Sequence, residues 1–87
     1  MKAAKRVAWN LRRLRVRRNL SQESLAVDAE VDLSYVSRLE GGSGNPSVRI
    51  LERIAAALDV DIIEFFKQPA KTEPAPNPLP AGRRKRL

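Results

Sequence analysis

Apolar residues recur at helical spacing from residue 3 to residue 66, and no segment alternates apolar and polar positions as a β-strand does. On a helical wheel of about 100° per residue, Ala4, Val7, Leu11 and Leu14 share one face of a first helix over residues 3–18. Short helices bury such faces only by crossing at steep angles. The pattern predicts an all-α, five-helix domain, whose remaining helices cover about residues 21–29, 32–40, 46–58 and 62–66.

Polar caps and glycines mark where these helices begin and end. Ser21, Asp32 and Asp61 have side chains that cap helix N-termini. The run Gly-Gly-Ser-Gly at residues 41–44 ends the third helix, because glycine tolerates the left-handed turn found there. Only residues 30 and 31 separate the second and third helices. A connection this short holds two helices near a right angle, so a helix-turn-helix is predicted over about residues 21–41.

The chain changes character near its end. Five prolines fall between residues 69 and 80, and proline lacks the N–H that helices and sheets use. We expect a folded domain over residues 1–67 and an extended, mostly disordered tail over residues 68–87. The tail carries a basic run that either forms a DNA arm or serves only as a solubilising end. That run is Arg83, Arg84, Lys85 and Arg86.

Charge points to a polyanionic partner. The 87 residues include 17 Lys or Arg against 10 Asp or Glu, a net charge of +7. The charge is uneven, at +8 for residues 1–20, −6 for residues 21–66 and +5 for residues 67–87. We interpret most basic residues of the first helix as a solvated face that balances the acidic middle and attracts DNA at long range.

Composition excludes several classes of site. The chain has no Cys and no His, which removes disulfides, thiolate or imidazole metal ligands and imidazole catalysis. No apolar run approaches the roughly 20 residues of a membrane span. We therefore expect a cytoplasmic protein, and the family resemblance described below implies one of bacterial or phage type that is nucleoid-associated when bound to DNA. It should be no enzyme, with no catalytic residues, metal, cofactor, small-molecule ligand or membrane partner.

The predicted helices resemble the Cro/repressor type of helix-turn-helix domain, the XRE family, over about residues 6–66. The agreement extends over core and cap positions at one spacing without gaps. The matching residues are Val7, Leu11, Leu14, Arg15, Leu20, Ser21, Gln22, Leu25, Ala26, Ser34–Glu40, Asn45–Ser47, Ile54, Ala55, Ala57, Leu58 and Val60. The resemblance implies a Cro/repressor-like (lambda repressor-like) fold whose third helix enters the DNA major groove.

The same resemblance implies roles for individual residues. Gln22 falls where the family hydrogen-bonds a phosphate and braces a recognition side chain. Arg15 and Glu40 match a structural pair that bridges the first helix to the end of the third. The residues at base-contacting positions are Leu33, Ser34, Ser37 and Arg38. Those at phosphate-contacting positions are Gln22, Tyr35, Ser43, Asn45 and Ser47.

The sequence departs from the family pattern at three places. Glu30 and Asp59 stand where the family often has glycine, and both positions favour a positive φ. Ser43 and Gly44 stand where Lys or Arg is frequent. We therefore expect this loop to hold a phosphate through backbone amides rather than through charge.

Each candidate also has a structural alternative. The planar fork of Arg38 suits the O6 and N7 atoms of guanine, but a surface salt bridge to Glu40 or to an acid of the second helix would also occupy it. Ser34 and Ser37 are equally compatible with solvated positions. Leu33 would otherwise pack against the turn, and Tyr35 over the second helix.

Two apolar features remain outside this scheme. Trp9 lies on the polar side of the first helix, where we favour packing within the chain over a partner surface. The end of the domain carries more apolar surface than a terminal helix needs. Some of it completes the core, and we expect the rest to form a homodimer interface. These residues are Ile62, Ile63, Phe65 and Phe66.

The predicted function is a sequence-specific transcriptional regulator of double-stranded DNA, a dimeric repressor of a palindromic operator. The alternative is an antitoxin or other protein-interaction module with the same fold, in which the tail or the Trp9 surface binds a toxin or another protein. The operator, the regulated genes and the choice between repression and activation do not follow from the sequence.

Overall fold

The structure, a computed structural model, describes residues 2–69. It contains four α-helices, which are α1 (Ala3–Arg17), α2 (Gln22–Ala29), α3 (Leu33–Glu40) and α4 (Val48–Leu58), and a C-terminal 3₁₀ helix at Ile62–Phe66. No strand occurs within residues 2–69, so the predicted all-α fold is confirmed. The fifth element is 3₁₀ rather than α. The predicted DNA arm at residues 83–86 and nearly all of the predicted tail lie outside the described residues.

The core forms where the five elements meet. α1 packs against α3 and the 3₁₀ helix, while α2 packs against α3 and α4. Most core side chains come from the apolar stripes seen in the sequence. The buried apolar residues are Val7, Ala8, Leu11, Leu14, Leu25, Ala26, Ala29, Val36, Leu39, Leu51, Ile54, Ala55, Leu58 and Phe65. None of the helices within residues 2–69 is both long and apolar enough to cross a membrane.

Side-chain caps begin three of the helices. Ser21 Oγ accepts a hydrogen bond from the Ser24 N–H at 2.9 Å, and Ser47 Oγ accepts one from the Ile50 N–H at 3.1 Å. Asp61 caps the 3₁₀ helix in the same way. Asp32 occupies the N-cap position of α3 with extended backbone, but its carboxylate makes no cap hydrogen bond. The expected side-chain cap at Asp32 was therefore wrong.

A buried asparagine ties the C-terminal 3₁₀ helix to α1. Asn10 is 1% exposed, and its Nδ2 atom donates to the carbonyl oxygens of Phe65 at 3.0 Å and Lys67 at 2.8 Å. These bonds satisfy carbonyls at the end of the 3₁₀ helix, which have no partner within the helix. The helix wheel places Asn10 beside the buried face, but no role was predicted for it.

Within residues 2–69, three non-glycine residues adopt left-handed backbone conformations. Glu30 ends α2 with φ 60° and Asp59 ends α4 with φ 57°, so the positive φ expected at these two positions is confirmed. Asn19, which follows α1, also has φ 60°. At Glu30 the backbone carbonyl accepts a hydrogen bond from Arg53 of α4. This contact ties the turn between α2 and α3 to α4.

The left-handed turn at Glu30 gives a prediction about stability. We expect Glu30→Gly to raise the free energy of unfolding by about 1 kcal/mol, because glycine adopts positive φ without the Cβ clash. The matched control is Glu52→Gly in the exposed interior of α4, which should lower it by about 1 kcal/mol. Urea unfolding followed by circular dichroism measures both. Equal destabilisation by the two substitutions would show that the turn is not strained at Glu30.

Candidate nucleic-acid interface

The third helix divides sharply into a buried and an exposed face. Val36 is 0% exposed and Leu39 is 2% exposed, and both lie in the core. The four residues at the predicted base-contacting positions all lie on the exposed side of α3, so the structure brings them together on one surface. They are Leu33, Ser34, Ser37 and Arg38. We call this surface the α3 face.

Arg38 rests on an aromatic side chain. Its guanidinium carbon lies 5.6 Å from the centroid of the Tyr35 ring, within cation–π range. Tyr35 itself is half-buried against the core. Arg38 forms no ion pair with any residue in the described part of the chain, so the salt-bridge alternative is absent from this structure. The guanidinium is therefore positioned by Tyr35 while its donors stay available at the surface.

A small groove lies beside the α3 face. Its volume is about 300 Å³, enough for a phosphate group, and it is lined by Tyr35, Arg38, Ser43, Gly44 and Asn45. Three of the predicted phosphate-contacting residues therefore lie together with Arg38. Ser47 lies farther along the loop, where its hydroxyl caps α4.

The loop after α3 has fewer free amides than expected. The Gly42 N–H donates to the Leu39 carbonyl and the Ser43 N–H donates to the Arg38 carbonyl, each at 3.1 Å. Within residues 2–69 the Gly44 and Asn45 N–H groups form no such backbone bond. A Cβ on Gly44 would lie 2.5 Å from Leu39 Cδ2, so this position requires glycine for close packing. Of the amides at residues 42–45, those of Gly44 and Asn45 thus remain for backbone binding of a phosphate.

A buried carboxylate joins three helices beneath the α3 face. The side chain of Glu40 is 0% exposed and accepts hydrogen bonds from Arg15 of α1, in a two-pronged contact that includes Nη2 to Oε1 at 3.0 Å. Arg12 Nε donates at 3.2 Å and Gln22 Nε2 of α2 at 2.9 Å. Arg15 also donates to the Leu20 carbonyl at 2.7 Å. The bridge between Arg15 and Glu40 is thus present, and Arg12 and Gln22 complete it.

Gln22 connects this buried cluster to the α3 face. It is 7% exposed, and its Oε1 accepts a hydrogen bond from Ser37 Oγ at 2.8 Å. The brace that the family resemblance implied therefore has a defined partner, Ser37. We call the connected residues Arg12, Arg15, Gln22, Ser37 and Glu40 the Glu40 network.

Arg13 of α1 and Arg18 at its C-terminal cap have partners within the chain. The guanidinium carbon of Arg13 lies 5.5 Å from the ring centroid of Trp9, which is half-buried. Arg18 pairs with Asp59 at 3.5 Å, at the exposed end of α4. Arg12 was expected on a solvated face, but it reaches the buried Glu40 carboxylate. Local sequence does not indicate this contact, because the acid lies 28 residues away.

The four residues predicted at a dimer interface separate into two pairs. Phe65 is 0% exposed within this chain's own core, and Ile62 is partly buried against that core, so both side chains are mainly used within the chain. Ile63 is 58% exposed and Phe66 is 40% exposed. Of the four predicted residues, this outer pair offers the most apolar surface for association.

A comparison with protein families identifies the domain. A family model described as a helix-turn-helix domain matches residues 6–65. The chain belongs to this family. The helix-turn-helix itself consists of α2, the turn at residues 30–32 and α3.

Relatives of this helix-turn-helix domain include regulators and controller proteins. It is 40% identical over 57 residues to the HTH-type transcriptional regulator SlrR of Bacillus subtilis, and the match covers 64% of this chain but only 38% of that protein. The restriction-modification controller C.AhdI from Aeromonas hydrophila is 38% identical, with a TM-score of 0.71 over 72% of this chain and 96% of that chain.

A third relative is described together with DNA. The restriction-modification controller C.Esp1396I, solved as a tetramer with its natural 35 base-pair operator, is 29% identical and has a TM-score of 0.69. That match covers 76% of this chain and 87% of the controller. None of these three relatives is described as an antitoxin, so the antitoxin alternative gains no support from them.

The Glu40 network predicts strong energetic coupling. Glu40→Leu should lower the free energy of unfolding by about 3–5 kcal/mol, because it leaves the Arg15 charge buried without its partner. Arg15→Met should have a similar cost. The double substitution should cost well below the sum of the two, since both charges are then removed. Urea unfolding of the four proteins gives the coupling directly.

The partly exposed ion pair of Lys67 and Glu64, at 3.0 Å, supplies the control. Lys67→Ala should change the free energy of unfolding by less than about 1 kcal/mol. If the costs of Arg15→Met and Glu40→Leu simply add, the buried pair is not coupled and the network does not hold the helices together.

Proposed function

We propose that this chain is a sequence-specific regulator of transcription that places α3 in the major groove of double-stranded DNA. The observation that carries the proposal is the α3 face, in which four exposed side chains sit on a helix held rigidly from behind by the Glu40 network. A single helix fits the B-DNA major groove, which is about 12 Å wide. Repression then follows from occupancy of the operator, and no catalytic step is involved.

The relatives support this proposal. They are described as transcriptional regulators and restriction-modification controllers, and one of them as a tetramer bound to its natural operator. The matched region includes the whole helix-turn-helix of this chain. Operator binding by the present chain is inferred from this relationship together with the geometry of the α3 face.

Specificity and attraction come from different parts of the chain. Residues 21–44 contain one basic residue, Arg38, against five acids. We infer that Arg38, Leu33, Ser34 and Ser37 contact base edges. The groove formed by Tyr35, Ser43 and Asn45, and the N-terminal ends of α2 at Gln22 and α4 at Ser47, hold phosphates through hydrogen-bond donors. The basic termini supply the long-range attraction.

Arg38 offers the most direct test of base contact. A selection of bound DNA from a random pool should define a site, and Arg38→Ala should relax the preference at one position in each half-site. The expected loss of discrimination there is about 1–3 kcal/mol. Arg49→Ala also removes one positive charge, from an exposed arginine of α4, and it should leave every base preference unchanged. Uniform weakening of all sequences by Arg38→Ala would make Arg38 a phosphate contact instead.

We infer that two copies bind together, because one short recognition helix contacts few base pairs. The exposed pair Ile63 and Phe66 forms the contact in this proposal, and the pairing places two half-sites about one DNA turn apart.

Sedimentation tests the dimer. The wild-type chain should sediment as a dimer, whereas Ile63→Ser with Phe66→Ser should give a folded monomer with at least tenfold weaker binding to a two-half-site duplex. Val27→Ser removes an apolar side chain that is 71% exposed on α2, and it should leave the dimer intact. A wild-type monomer on the selected DNA would exclude the pairing.

A further inference from the structure

The direction of each hydrogen bond in the Glu40 network is fixed by chemistry. Carboxylate oxygens only accept hydrogen bonds, so the group of Gln22 that faces Glu40 at 2.9 Å must be its NH₂. A flipped amide would set its oxygen against the carboxylate oxygen, with two acceptors in contact and no proton between them. The oxygen of Gln22 must therefore point the other way, towards α3.

This orientation determines what Ser37 does. A serine hydroxyl has one proton and two acceptor lone pairs. The Oε1 atom of Gln22 has no proton, so at 2.8 Å the proton between the two side chains comes from Ser37. Because Gln22 is only 7% exposed, removing this proton would leave a buried amide oxygen without a partner. Ser37 therefore turns only lone pairs towards its exposed side.

We propose that Ser37 is an acceptor-only contact, which selects adenine or cytosine over guanine or thymine on the DNA strand it faces. In the major groove adenine presents the N6 amino group and cytosine the N4 amino group as donors. Guanine and thymine present acceptors at the corresponding positions, and two facing acceptors repel. The inference rests on the proposed function and adds to it one element of the operator.

Ser34 provides a matched comparison on the same face. It is exposed on α3, and its hydroxyl forms no hydrogen bond with any residue between 2 and 69. The Ser34 hydroxyl can therefore donate or accept a hydrogen bond, so it does not discriminate between bases with an amino group and bases with a keto group. The difference between the two serines follows only from the Glu40 network behind Ser37.

The first experiment is a selection from a random DNA pool with four proteins. Wild type should show one position per half-site restricted to adenine or cytosine, and Ser37→Ala should lose that restriction. Gln22→Met removes the acceptor at similar side-chain volume and frees the proton of Ser37. The position should then accept guanine and thymine as well, whatever uniform loss of affinity the substitution also causes. Ser34→Ala should leave this position unchanged.

The second experiment removes the amino group from the DNA instead. In a duplex of the selected site, purine replaces adenine, or 2-pyrimidinone replaces cytosine, at the position assigned to Ser37. Wild-type affinity should fall roughly three- to tenfold, the effect of one net hydrogen bond, whereas the affinity of Ser37→Ala should not change. This arm does not depend on the folding of Gln22→Met.

The outcomes separate this inference from the proposed function. A selected site that responds to Arg38→Ala but shows guanine or thymine at the Ser37 position would overturn the inference and leave the function standing. So would a site with no position that responds to Ser37→Ala, or equal affinity for the normal and amino-deleted duplexes. If the wild-type chain enriches no sequence, the proposed function fails and the inference fails with it.

Discussion

The arrangement of this domain depends on one buried charge. The side chain of Glu40 is 0% exposed, and taking a carboxylate out of water is costly unless opposite charge and hydrogen bonds replace the lost hydration. Arg15, also fully buried, supplies the main replacement, and Arg12 and Gln22 complete it. Because these partners come from α1 and α2, α3 cannot shift against either helix without leaving a charge unpaired. The orientation of the α3 face is therefore set by electrostatics as much as by the apolar core.

The parts of the fold that depend on local sequence were predictable. Apolar spacing located all five elements to within a few residues, and the capping roles of Ser21 and Asp61 were recognised from residue type. Asn10 was missed, although it lies about 60° from Val7 and about 40° from Leu14 on the wheel of α1. Its partners are carbonyl oxygens more than 50 residues away, which no local pattern indicates. Arg12 was assigned to solvent for the same reason.

The C-terminal 3₁₀ helix shows how element type decides the role of each side chain. With about three residues per turn, residues three apart lie on the same side. Ile62 and Phe65 therefore face the core together, whereas Ile63 and Phe66 face outwards together. The excess of apolar surface, and its division between core and interface, were visible in the sequence. Which residue belongs to which part was not, because the element was not predicted to be a 3₁₀ helix. The division leaves one outward pair for contact with another copy.

Several basic residues of this protein are engaged in contacts within the chain, so the net charge overstates the charge that can contact a partner directly. The chain carries 17 basic residues, but Arg12 and Arg15 neutralise a buried acid, Arg18 pairs with Asp59, and Arg53 holds the carbonyl of Glu30. Such residues still add to the long-range field, which depends on total charge, yet they are committed to contacts that hold the fold. Specific contact then relies on a few groups whose hydrogen-bonding direction the fold has set. Arg15 and Arg12 therefore contribute to specificity indirectly, because they fix the carboxylate that orients the Gln22 amide and, through it, the Ser37 hydroxyl.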